Sequence, residues 1–211
     1  MAAVTVPQTS PHPAPGPRPV VAAVLLLVAG VVGFVGSFAL VVDKFRLLEH
    51  PEQALGCDVN PFLGCSPVMQ SWQASLFGFP NPVIGVAAFV APVVVALALL
   101  AGARFARWFW VAFDVGLFLA WAFVTWLFTQ AVYVIGALCP WCMLVWLVTI
   151  PLFWVGTTWM LARGLTTRSA RLRRAATAFL PFSWVLPVAN LLVVATLILL
   201  QFPRLLPTLL G

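Results

Sequence analysis

Val20 to Val42 runs for 23 residues without a charge, and this run decides most of what the chain can become. A helix needs about 20 apolar residues to cross the ~30 Å hydrocarbon core of a bilayer. The run is too long for a signal-peptide core and has only Arg18 as a basic flank, so it reads as a retained first span. Comparable stretches follow. Pro82 to Gly102 is uncharged, Trp108 to Ala131 is interrupted only by Asp114, and Cys139 to Leu161 is again uncharged. Pro181 to Phe202 makes a fifth span despite Pro187 and Asn190, since neighbouring helices can re-satisfy carbonyls freed by a proline.

Composition agrees with this reading. Of 211 residues, 63% are hydrophobic and only 8% charged, whereas a soluble domain carries about 25% charged residues. A soluble enzyme and a nucleic-acid binder are thereby excluded, although the net charge is +6. The expected architecture is an all-α membrane protein. A four-helix bundle (spans 20–42, 82–102, 108–131 and 139–161) has its loop 43–80 and a short helix capping one end. A disordered Pro-rich arm (1–19) precedes it, and a basic turn (162–178) and a fifth transmembrane helix with a short tail (179–211) follow. No soluble domain is expected. With a cytoplasmic N-terminus, eight of the 11 Lys and Arg residues fall inside and three outside, which the positive-inside rule favours.

That topology puts all four cysteines on the extracytoplasmic side, where disulfides persist. Cys57 and Cys65 lie in the first loop. Cys139 and Cys142 open the fourth span as Cys139-Pro140-Trp141-Cys142. Pro140 suits the first helical turn, and the helix N-terminus lowers the pKa of the Cys139 thiol. A disulfide across so short a gap is a poor staple and a good redox switch. The Cys57/Cys65 pair is ambiguous: a structural loop disulfide, a redox pair, or half of a four-cysteine zinc site, although the spacing fits no familiar zinc pattern. After Cys65, Ser66 reads as an N-cap and Pro67 as the first residue of a short amphipathic helix to about Phe77. Val68, Met69, Trp72 and Leu76 fall at helical spacing along it.

Taken in order, Cys57-Asp58-Val59, Cys65-Ser66, Ser71, Asn81-Pro82-Val83-Ile84-Gly85 and Cys139-Pro140-Trp141-Cys142 resemble the vitamin K epoxide reductase family over roughly Val20 to Leu161. The resemblance implies a four-helix membrane bundle with a quinone site near the extracytoplasmic helix ends, under a loop bearing two cysteines. It implies an oxidoreductase in which Cys142 is the thiol nearest the quinone and Cys139 its partner. Cys65 would exchange with Cys139, and Cys57 with a thioredoxin-like protein. Ser71 matches a serine implicated in catalysis. Asn81 matches an asparagine that hydrogen-bonds a quinone carbonyl, and its other reading is a helix cap before Pro82. Met69 and Trp146 complete the expected quinone contacts. Trp146 stands where vertebrate relatives carry a tyrosine, and an indole cannot accept a hydrogen bond.

The implied cofactor-like substrate is a quinone of the menaquinone or ubiquinone type, with no metal. The implied partners are the lipid bilayer, its quinone pool and a separate extracytoplasmic thioredoxin-like protein. The function would be disulfide formation in exported proteins, through a mobile loop that delivers Cys65 to a fixed Cys139. Asp114, seven residues after Arg107, is expected to pair with it or to snorkel to the cytoplasmic surface. A bis-histidine haem is excluded because His12 and His50 are the only histidines and neither lies in a span. Two rivals remain. One is a membrane anchor or assembly protein with purely structural disulfides. The other is a different four-helix quinone-linked dithiol oxidase, whose loop pair would follow its C-x-x-C rather than precede it.

Overall fold

Residues 19–203 are described by a computed structural model. The Pro-rich arm, apart from Pro19, and the tail 204–211 lie outside the described residues. Seven α-helices follow in order: α1 (Val20–Glu49), α2 (Cys65–Gln70), α3 (Pro82–Leu100), α4 (Arg107–Gln130), α5 (Pro140–Ala162), α6 (Ala170–Phe179) and α7 (Val185–Gln201). No strand occurs among the described residues. Helices α1, α3, α4 and α5 are each long and apolar enough to cross a membrane, α4 together with the turn after it. Helix α7 passes the same test only together with the segment before it, and the two are bent by 63° at the break between them.

Inside a bilayer, helices associate through close packing rather than hydrophobic exclusion, and small residues permit the approach. Gly30, Gly33 and Gly36 follow one stripe of α1. A Cβ on Gly33 would overlap the ring of Phe89 on α3, and one on Gly36 would press against Val145 of α5. Helix α1 is accordingly held between α3 and α5, while α4 and α7 pack on the other side of α5. Helices α3 and α4 barely touch. That open seam gives the bundle its cavity.

Several boundaries differ from the sequence expectation. Helix α1 does not stop at Val42 but continues to Glu49, because charged residues mark where a helix leaves the lipid, not where its hydrogen bonding ends. Arg46 lies 3.6 Å from Asp43, one turn back on the same helix. After Gln130 the chain continues as a π-turn, Ala131–Ile135, closed by Gly136 at φ 74°. There the chain needs a residue free to adopt a left-handed conformation. The arginine-rich stretch 162–178 is not simply a turn, since α6 occupies most of it with Ser169 as its N-cap. Asp114 pairs with neither Arg107 nor the surface. It accepts a hydrogen bond from Thr157 Oγ1 at 2.6 Å, while Arg107 donates to the Thr166 carbonyl at 2.9 Å. A hydroxyl one helix away satisfies the carboxyl without requiring it to reach the membrane surface.

Asn190, which looked merely tolerated in the fifth span, joins three helices. Its Oδ1 accepts from Trp121 Nε1 of α4 at 3.0 Å and from Trp154 Nε1 of α5 at 3.1 Å. Asn190→Ala strands both indole donors in an apolar setting. We expect a loss of about 1–2 kcal/mol, measured by thermal unfolding in detergent. Quinone turnover should stay unchanged, because α7 does not line the cavity.

Candidate active site

At one end of the bundle the chain brings its four cysteines together. Cys57 and Cys65 form a disulfide with Cα atoms 5.8 Å apart, and Cys139 and Cys142 are free thiols. The Cys65 and Cys139 sulfurs, 74 residues apart in sequence, lie 3.2 Å from each other. A pair of backbone hydrogen bonds explains the contact. Leu138 N–H donates to Phe62 O at 2.8 Å, and Gly64 N–H donates to Leu138 O at 2.9 Å. This single bridge between Leu63 and Leu138 fixes the residues just before Cys65 and just before Cys139. Cys65 therefore needs no mobile loop to reach Cys139. Both sulfurs are already in contact, and both residues are fully buried.

Cys139 is the N-cap residue of α5, with Pro140 at the first helical position as expected. The Cys142 side chain hydrogen-bonds its sulfur, and the Cys142 and Trp141 backbone N–H groups add to this. Together they hold the Cys139 thiol below its ordinary pKa against the opposing effect of burial and of nearby Asp43. Cys57 is buried as well, at 8% exposure, so its sulfur is not presented to solvent. It sits 3.6 Å from Asp43 Oδ2. The three potential ligand atoms of Asp43, Cys57 and Cys65 lie close together, but a disulfide offers no thiolate to a metal. The pairing also removes two of the four sulfurs that a zinc site would need.

The loop is organised by Asp58. Its carboxylate accepts from Leu55 N–H at 2.9 Å, from Ser66 N–H at 3.0 Å and from the Ser66 hydroxyl. The N-cap position of α2 is therefore Gly64 rather than Ser66, with Asp58 supplying the capping oxygens from across the loop. Burial opposes ionisation of Asp58, but these bonds and one from the Cys65 N–H outweigh it and hold the carboxyl below its usual value. A depressed carboxyl stabilises the fold above its unfolded pKa of about 3.9, and the contribution disappears as pH falls through the lower folded value. Phosphine reduction of the Cys57–Cys65 disulfide should thus change little in its loop-opening component from pH 8 to about 4. It should accelerate below that, and Asp58→Ala should accelerate it throughout.

Beneath the sulfurs lies a cavity of about 370 Å³, lined by α1, α3, α4, α5 and the loop helix. Its walls are mostly apolar and include Cys139 and Cys142, with Ser37, Ser71, Gln73, Asn81, Gln130 and Thr149 as the polar groups. That size and character suit a small, largely apolar molecule. All the quinone contacts expected from sequence border it: Asn81, Met69 and Trp146, together with Ser71. Asn81 does not cap α3 through its side chain. Its Nδ2 donates to Gln73 O at 2.6 Å, and its Oδ1 accepts from Leu76 N–H at 3.1 Å. One amide hydrogen is left over. Ser71 Oγ–H donates to Val68 O at 2.6 Å, and there the expected helix to Phe77 breaks into α2 and a tighter turn, Trp72–Ser75. Trp146 is buried and meets Phe128 edge-on at 5.4 Å.

Sequence reasoning missed Ser37, Gln73, Gln130, Thr149, Asp43 and Lys44. Gln73 Nε2 lies 3.4 Å from Gln130 Oε1, and Lys44 Nζ donates to Met69 O at 2.6 Å, tying α1 to the loop helix. The available signal is polarity alone: Asp43, Lys44, Gln73 and Gln130 at or beyond the ends of apolar runs, and Ser37 and Thr149 within them.

The model of the vitamin K epoxide reductase family matches residues 24–157. No curated protein matches the chain. The matched segment is well over half the sequence, and it contains all four cysteines. The chain belongs to the vitamin K epoxide reductase family and is a multi-pass membrane oxidoreductase of thiol–disulfide and quinone chemistry.

Proposed function

We propose that this protein transfers two electrons from a thioredoxin-like dithiol partner to a quinone through its two cysteine pairs. The 3.2 Å contact between Cys65 and Cys139 carries this reading. The balance is simple: partner dithiol and quinone become partner disulfide and quinol. The partner's thiolate first attacks Cys57, releasing Cys65, and the partner's second thiol resolves the mixed disulfide. Cys65 thiolate then attacks Cys139 of the oxidised C-x-x-C and displaces Cys142. Cys57 next attacks Cys65, which re-forms the loop disulfide and releases Cys139 as the thiolate its surroundings favour. The Asp43 carboxylate, 3.6 Å from Cys57 Sγ, is positioned to take the Cys57 proton in that step. The result is the pairing described above, a loop disulfide beside a C-x-x-C dithiol. The dithiol then delivers two electrons and two protons to the quinone and closes again as a disulfide.

Each exchange needs a thiolate in contact with a disulfide sulfur. The backbone bridge at Leu63 and Leu138 supports the internal exchange. Cys57 is buried in a cluster with Leu47 and Leu55, so the partner must loosen this packing to reach it. The seam between α3 and α4 supports entry of a lipid-soluble quinone from the bilayer. The arginine count supports an orientation with the cysteines on the extracytoplasmic side. In the Cys57→Ala, Cys142→Ala variant, mild oxidation should trap Cys65 and Cys139 as a mixed disulfide, seen by mass spectrometry of the linked peptides. Folded protein that yields no such link would refute the relay.

A further inference from the structure

Helix α6 and the turn before it lie outside the segment matched to the family. They form a surface that the redox chemistry does not use. No residue of α6 is buried. Leu172, Ala175, Ala176 and Phe179 stand at i, i+3, i+4 and i+7, which aligns them as one apolar stripe. At roughly 100° per residue, Arg171 flanks one side of that stripe and Arg173 the other, while Arg174 lies nearer the opposite side. Leu172 is 56% exposed and Ala175 is exposed, with Ala176 and Phe179 partly buried, so the bundle leaves the first part of this stripe uncovered. The opposite side is the one held to the protein: Thr177 Oγ1 reaches Ala162 O at 3.3 Å, and the Arg173 stem packs over Gly164.

Charge at this end is of one sign. Arg104, Arg163 and Arg168 join the three arginines of α6, all exposed. Arg107, through its bond to Thr166, ties the α3–α4 connection to the same surface. From residue 104 to residue 203 the only acid is Asp114, which is hydrogen-bonded to Thr157 within the bundle. Among the described residues the one ion pair is Asp43–Arg46, on a different helix. The 63° bend between this segment and α7 inclines α6 away from the direction of a crossing helix. Phe182 and Trp184, each 58% exposed, occupy the corner, as aromatic residues do at a membrane interface.

We propose that α6 and its flanking arginines form a binding surface for anionic phospholipid headgroups of the adjoining leaflet. The Leu172–Phe179 stripe would sink among the acyl chains, with the guanidinium groups on the phosphates. An acidic protein would satisfy the arginines but leave the stripe exposed, so the apolar face favours lipid. The inference stands independently of the cysteine relay.

The test uses the full chain in mild detergent, titrated separately with phosphatidylglycerol and phosphatidylcholine, with bound lipid counted by native mass spectrometry. Phosphatidylglycerol should bind more tightly than phosphatidylcholine, and raised salt should erode the difference. Arg168→Gln with Arg171→Gln should weaken phosphatidylglycerol binding by about 25-fold, at about fivefold per arginine. Leu172→Ser should weaken both lipids, and turnover in both variants should match the parent, confirming that each is folded. Equal binding of the two lipids, an unchanged affinity in the double variant, or salt-sensitive capture of an acidic peptide without lipid preference would each overturn the proposal.

Discussion

Cys142→Ser should reduce quinone-dependent oxidation of a dithiol substrate by about a thousandfold or more, with little change in thermal stability. A chain of exchanges stops completely when one of its sulfurs is removed, so the loss is of the size seen when a covalent nucleophile is deleted. Serine is close in size to cysteine but can neither form a disulfide nor supply a thiolate near neutral pH. Stability is spared because Cys142 is a free thiol lining the cavity rather than part of the loop disulfide. The companion variant makes the assignment specific. Cys65→Ser cuts the route from the partner, yet a small dithiol acting directly on Cys139 and Cys142 should still drive quinone reduction. Both variants are read by quinone absorbance, with dithiothreitol and then a thioredoxin-like protein as electron donor. Turnover in Cys142→Ser within tenfold of the parent would remove Cys142 from the terminal position.

The two levels of structure differ in how far sequence reveals them. Transmembrane spans are legible because charge and proline punctuate them: Pro82 and Pro140 open α3 and α5 at their first helical residues. The same punctuation misleads at Asp43, where the helix leaves the lipid and keeps winding. It misleads again at 162–178, where five arginines suggest a turn although Leu172, Ala175, Ala176 and Phe179 carry a helical period. The C-x-x-C and the loop pair can be read because cysteine chemistry is sparse and compartment-dependent. Their juxtaposition cannot be, since it depends on backbone hydrogen bonds of Phe62 and Gly64 with Leu138, which no side-chain pattern announces. Ser71 shows a related limit. Val68, Trp72 and Leu76 predict one continuous helix, but the side chain of Asn81 holds residues 73 and 76 in another conformation. Sequence spacing does not report such a tertiary hydrogen bond.

That double role makes Asn81 the second site of large effect. Asn81→Ala should lower kcat/KM for the quinone by about a hundredfold or more, the usual consequence of losing a positioned donor to a developing oxyanion. It should also cost about 1–3 kcal/mol of stability, because Leu76 N–H and Gln73 O lose their buried partner. These two effects can be separated. In Asn81→Asp the carboxylate still accepts from Leu76 N–H but has no N–H to offer, and its charge opposes the negative charge that builds on a quinone oxygen during reduction. Asn81→Asp should therefore keep much of the loop's order while losing quinone turnover as severely as Asn81→Ala. Formation of the Cys65–Cys139 link in the Cys57→Ala, Cys142→Ala background should survive it, since the Leu63–Leu138 bridge that sets that contact does not involve Asn81. If Asn81→Asp instead reduced quinone at the parental rate, the spare amide hydrogen would have no part in the chemistry. Asn81 would then act only by folding residues 73–76 over the cavity.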